Sequence, residues 1–97
     1  MTTFVVLASF TDQGLRNAKE RISNVDETLE LAKKSGVTIK EMYWTLGRHD
    51  VVAICEAPDT ATATALSLSV ASRGNVRTET LRAFSFDEMK QIHGKIV

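Results

Sequence analysis

Few side chains in this 97-residue chain are equipped for chemistry. His49 and Asp50 are adjacent, an imidazole that titrates near neutral pH beside a carboxylate able to orient it, the parts of an acid–base pair. Neighbours on an extended strand point to opposite faces, so the two need not touch. A simpler reading makes Asp50 an acceptor of backbone hydrogen bonds at a hairpin and His49 a turn residue. Arg77, Glu79 and Arg82 form a second group, with Arg77 and Glu79 on one strand face and Arg82 on the other. An arginine fork can hold a ligand carboxylate, or the three can pair on an edge strand or across a subunit boundary. Tyr43 and Trp44 offer stiff aromatic surface to a pocket, a core or an interface. No His/Cys/Asp/Glu group has metal-ligand spacing, since His49 and His93 are remote from each other. The five glycines are scattered turn residues without a phosphate-binding pattern, and no cofactor is expected.

The elements that must position these residues centre on MYWTLGRHDVVAIC, residues 42–55. Gly47-Arg48 between two apolar runs fits a two-residue type II′ hairpin turn. That turn would set Leu46 opposite His49, Thr45 opposite Asp50, Trp44 opposite Val51 and Tyr43 opposite Val52. Val51 to Cys55 is apolar throughout and reads as a central strand buried on both faces. Thr3 to Phe10 reads the same way. Leu15, Ala18, Ile22, Val25, Leu29 and Ala32 form one helical stripe opened by Thr11 or Asp12 and closed by Gly36. Ser23-Asn24 predicts a break within it, giving a short helix and a longer one. Val37 to Leu46 is the second strand and suits an edge. Thr60 to Val70 alternates as a strand would, but Asp59 as cap, the run of alanines and Gly74 as stop predict a helix. Asn75 to Phe84 is a fourth strand, also of edge type. Ser85 and Glu88 form a capping box for a last helix, Phe86 to Ile96. The order is βαββαβ plus a helical tail, an α+β ferredoxin-like four-stranded antiparallel sheet with its crossover helices on one face, in a single domain over residues 1–97.

Composition narrows the function classes. Twelve Lys+Arg balance twelve Asp+Glu, so nothing draws the chain to nucleic acid or an anionic membrane. RNA-recognition modules share the element order but need exposed aromatics on the central strands, where this chain has Val51, Val52, Ala53 and Ile54. The single cysteine, Cys55, lies in the most apolar strand, which predicts a buried, unreactive thiol and a reducing compartment. MTTFVVLASF has no basic segment before its short apolar run, and no run approaches the ~20 apolar residues of a membrane helix. A cytoplasmic protein is expected.

Four stretches carry a family resemblance: FTDQG (10–14), YWTLG (43–47), DVVAICEAPD (50–59) and NVRTETLRAF (75–84). On these the chain resembles the GYD-domain family, named for a Gly-x-Tyr-Asp motif between the second and third strands. The resemblance implies a ferredoxin-like domain related to the dimeric α/β-barrel proteins, without a general activity. The motif here reads Gly47-Arg48-His49-Asp50, with His49 where the family usually has Tyr.

Two functional readings follow. One is a homo-oligomeric module that binds a small ligand or acts through interaction. The other, by analogy with dimeric α/β-barrel proteins, is a small cofactor-independent enzyme, monooxygenase- or isomerase-like, with His49 as its acid–base group. The test between them is whether His49 and Arg77 converge on one cavity. Self-association is expected because right-handed crossovers place both helices on one side of the sheet. The bare side would carry apolar residues of the central strands. The face of Met42, Trp44, Val51 and Ala53 is the first expectation for that contact, and the face of Tyr43, Val52 and Ile54 the alternative.

Overall fold

Four strands pair in the order β2-β3-β1-β4, all antiparallel: β1 (Thr2–Phe10), β2 (Thr38–Trp44), β3 (Val51–Ala57) and β4 (Val76–Ala83). The two most apolar strands are therefore the central ones, and the two charged strands are the edges. A computed structural model of the chain describes residues 1–17 and 25–97. The break expected at Ser23-Asn24 lies outside the described residues. Four helices complete the described elements: α1 (Asp12–Arg16), α2 (Val25–Ser35), α3 (Thr60–Ala71) and α4 (Phe86–His93). This is the ferredoxin-like α+β architecture that the element order predicts.

Local chemistry explains where the helices begin and end. Thr11 caps α1, its Oγ1 accepting from the Gly14 N–H at 3.0 Å. Asp59 caps α3, Oδ1 accepting from the Thr62 N–H at 2.7 Å, and this bond settles the helical fate of the alternating Thr/Ala run. Ser85 and Glu88 close the reciprocal capping box of α4. These hydrogen bonds to backbone N–H groups hold the Asp59 and Glu88 carboxyls below the usual carboxylate range, with Arg82 helping at Glu88. Gly36 and Gly74, at φ +82° and +81°, follow α2 and α3 in the left-handed region that favours glycine.

Register assigns the faces. Phe4, Val6, Ala8 and Phe10 of β1 share a face with Met42, Trp44, Val51, Ala53 and Cys55. That face packs under α2 and α3, and the core of Phe4, Ala32, Val37, Ala53, Cys55, Ala57, Ala63 and Leu66 lies there. The opposite face presents Val5, Leu7, Val52, Ile54, Tyr43, Arg77, Glu79 and Leu81. Val5, Leu7, Val52 and Ile54 are only half-buried, and α4, which buries none of its residues, does not pack over them. The first expectation for the bare face is thereby corrected. Met42, Trp44, Val51 and Ala53 face the helices, and the alternative face is the open one.

The hairpin keeps its expected register but not its tight turn. Trp44 pairs Val51 and Tyr43 pairs Val52, and the Thr45 N–H donates to the Asp50 carbonyl at 2.8 Å. Beyond that rung the Thr45 hydroxyl, not a Leu46 backbone group, donates to the His49 carbonyl, at 2.6 Å. The result is a wider loop in which Gly47 still takes φ +100°. Its Cβ direction is open, so only backbone strain opposes a side chain there. Gly47→Val should lower the unfolding free energy in urea by about 1–3 kcal/mol, the usual cost of one strained backbone site.

Candidate functional site

Sequence reasoning nominated His49 and Asp50, and the structure gives the two different partners. Asp50 is tied into β1 on both sides of its Cα. Its N–H donates to the Ala8 carbonyl, and its Oδ2 accepts from the Phe10 N–H, each at 2.8 Å. The carboxylate thus satisfies the last backbone donor of β1 where the chain turns toward α1. His49 Nδ1 lies 3.4 Å from Ser9 Oγ, and that hydroxyl also donates to the Arg48 carbonyl at 3.1 Å. His49 is half-buried on the hairpin loop and does not line the cavity between the sheet and the helices.

Arg77 and Glu79 are exposed on the open face, opposite Ser9 and Leu7 of β1. Arg82 lies on the other face at the far end of the sheet. It pairs with Glu88 at 3.0 Å and stacks over the Phe84 ring at 4.4 Å, which fastens the start of α4 to β4. Tyr43 and Trp44 point apart. The Tyr43 hydroxyl donates to Glu41 on the open face, and this hydrogen bond together with the Glu41 charge pushes the phenol above its ordinary pKa. Trp44 turns to the helix face. Of the candidates Tyr43, Trp44, His49, Asp50, Arg77 and Glu79, Arg77 borders an open groove beside α3 and β4, His49 and Arg77 do not converge, and only Trp44 borders the cavity under α2 and α3.

That cavity is a cleft of about 190 Å³ between the helix face of the sheet and helices α2 and α3. Register explains why it exists. Trp44, Val51, Ala8 and Thr78 form one cross-strand row, with Met42, Ala53 and Val6 in the next. Ala8 and Ala53 make a low floor, and Ala63 of α3 a thin roof. Larger side chains, Trp44, Met42 and Phe10, stand around them. Among the described residues its charged lining is Glu27 and Arg73, an ion pair at 3.2 Å joining the start of α2 to the end of α3. Neither was nominated from sequence, because a charge at a helix end carries no signal of what it faces. The alanines at 8, 53 and 63 were the available hint. Cys55 lies in the cleft wall, 4% exposed, and burial pushes its thiol pKa up. Among the described residues no group of three His/Cys/Asp/Glu could hold a metal ion, and no helix is long and apolar enough to cross a membrane.

Comparison with known proteins gives this geometry a family. The GYD domain model matches residues 4–93, and the chain belongs to that family. It is 43% identical over 86 residues to the glutamine synthetase and cystathionine beta-lyase binding protein of Thermus thermophilus, spanning 86% of this chain and 88% of that one. Among solved structures it resembles TTHA0845 from Thermus thermophilus, at 25% identity and TM-score 0.57, over 88% of this chain and 95% of that one. FFRP-DM1, at 16% identity and TM-score 0.62, covers 87% of this chain and 100% of its own. The leucine response regulatory protein LrpA of Mycobacterium tuberculosis, at 14% identity and TM-score 0.57, matches over 87% of this chain and 51% of its own. The last two likenesses show the shared fold.

Two outcomes check the placements. Asp50→Ala removes the carboxylate that accepts from the Phe10 N–H and should cost about 1–2 kcal/mol in denaturant unfolding. Native protein should react with a thiol reagent far more slowly than urea-unfolded protein, because Cys55 is both buried and held protonated.

Proposed function

We propose that this GYD-domain protein is a non-catalytic interaction module of the cytoplasm that works as a homo-oligomer. One observation carries the reading: the open face of the sheet presents Val5, Leu7, Val52, Ile54 and Leu81 as a continuous apolar surface that no described element of the chain covers. Soluble monomers rarely leave such a patch in water. A two-fold pairing of sheet on sheet buries it with one self-complementary contact. Arg77 and Glu79, exposed on the same face near its β4 edge, are then placed to meet their counterparts across the boundary rather than to hold a substrate. The separation of His49, Asp50 and Arg77 from the cleft supports the non-catalytic reading over the isomerase-like one. The buried thiol of Cys55 suits a reducing compartment.

With the sheet face covered, a second apolar group remains exposed at the C-terminal end: Phe84, Phe86 at 77% exposure, and Ile96. The exposed rings of Phe84 and Phe86, at the start of α4, are the surface we assign to a protein partner. The partners named for the Thermus thermophilus relative, glutamine synthetase and cystathionine beta-lyase, are the first to test.

Light scattering at micromolar concentration should give at least twice 10.7 kDa. Ile54→Lys should reduce it to the monomer mass. Phe86→Asp should keep the oligomer mass but abolish binding to immobilised glutamine synthetase or cystathionine beta-lyase. A monomer that persists as concentration rises would remove the oligomer. Failure of the wild-type protein to bind either enzyme would remove these two partners and leave self-association standing.

A further inference from the structure

The cleft and the self-association surface lie on opposite faces of the sheet, and the two readings stand or fall separately. We propose that the cleft is a binding site for a small aromatic monocarboxylate, its ring seated on Ala8 and Ala53 among Phe10, Met42 and Trp44 and its carboxylate held by Arg73.

Size, lining and charge each narrow the ligand. An apolar cavity of roughly 150 Å³ is enough to take up benzene. At about 190 Å³ this cleft has room for a single ring with a short substituent. The floor is apolar and low because Ala8 and Ala53 occupy it, and the roof above carries Ala63. A flat ring fits between such surfaces, with the indole of Trp44 to stack against. Cross-strand register puts Trp44, Val51, Ala8 and Phe10 at one end of the sheet, together with Val76 and the neighbouring Arg73 and Asn75. The charged part of the lining, Arg73 with its partner Glu27, therefore lies at that end.

The charged pair there favours an anion. The Arg73 side chain is 30% exposed, whereas its partner Glu27 is 60% exposed. The guanidinium is the more enclosed member, and exposed ion pairs are weak enough to be exchanged. Nη2 of Arg73 meets Glu27 at 3.2 Å, and its planar fork suits an incoming carboxylate in the place of that acceptor. A ligand carboxylate arriving with its ring in the chamber replaces a mostly hydrated acceptor by one held in place. The side-chain oxygen of Asn75 accepts from Gln13 Nε2 at 3.1 Å and, as an acceptor, does not hold a carboxylate.

The structure supplies its own reporter. Trp44, the one tryptophan of the chain, borders the cleft, as does Met42. The full chain should be titrated with hydrocinnamate and with hydrocinnamyl alcohol, following Trp44 emission and the methyl resonance of Met42. Both compounds should shift both signals saturably, the acid with the higher affinity. Arg73→Gln should weaken the acid about tenfold, the worth of one charge-assisted hydrogen bond, and leave the alcohol unchanged. Ala53→Leu raises the floor and should abolish binding of both. The proposal is overturned if neither compound perturbs Trp44 or Met42. It is equally overturned if the alcohol binds as tightly as the acid, or if Arg73→Gln holds the acid as the parent does. Arg73 lies at the rim, so its variant keeps the test intact even where Ala53→Leu fails to fold.

Discussion

One constraint governs the molecule: its central strands are apolar on both faces, while right-handed crossovers can cover only one. Connections of that hand carry both helix-bearing segments to the same side. β1 and β3 answer with Phe4, Val6, Ala8, Ala53 and Cys55 under the helices and Val5, Leu7, Val52 and Ile54 on the open side. The second set is not a defect of burial. On the proposed reading it is the surface for a second copy, and it lies on the face of the sheet opposite the cleft.

The helix face obeys a different rule. Of the nine buried hydrophobic residues among those described, five are alanines, at positions 8, 32, 53, 57 and 63. Small side chains let α2 and α3 come close at one end, where Ala32, Ala57 and Phe4 pack with Val37. Toward the other end the same smallness leaves space, because the large side chains there, Trp44 and Phe10, stand at the border instead of filling the middle. Close packing at one end and a cleft at the other thus come from one compositional choice. The Glu27–Arg73 pair then links the two helical segments above the space without occupying it.

Much of the fold was legible because it is written in local patterns. Apolar density separated central from edge strands. Asp59 and Ser85 announced helices whose interiors were ambiguous or weak, since a cap is a specific hydrogen bond while Thr/Ala alternation is not. The hairpin register followed from the position of Gly47, although the turn itself is looser, because the Thr45 hydroxyl supplies a bond that the alternation could not foresee. The assignment of faces was not legible in the same way. A period of two divides a strand into two sets but does not say which set meets the helices when both are apolar. The cleft was beyond reach for a related reason: it is the juxtaposition of Ala8, Ala53 and Ala63, three residues far apart in sequence. Tyr43 and Trp44 looked like one aromatic feature and proved to serve opposite sides of the sheet.

The family motif can be read in the same physical terms. In Gly47-Arg48-His49-Asp50, two positions carry backbone duties. Gly47 holds a left-handed conformation that a β-branched residue resists, and Asp50 accepts from the Phe10 N–H and donates its own N–H to Ala8. That second duty joins the hairpin to the end of β1, where Thr11 begins α1 and also donates through its hydroxyl to the Gly74 carbonyl at 2.5 Å. Asp50 therefore stabilises the place where the sheet, the first helix and the approach to β4 meet. Position 49 has no such duty in its side chain: the imidazole Nδ1 lies 3.4 Å from Ser9 Oγ, and the backbone carbonyl does the bonding to Thr45. A change from the phenol usual in the family to an imidazole at this position leaves the hydrogen-bonded frame intact. The departure from the motif falls where the structure depends on the backbone and not on the side chain. The chain can thus keep the family fold while losing whatever a tyrosine hydroxyl would contribute on the hairpin loop.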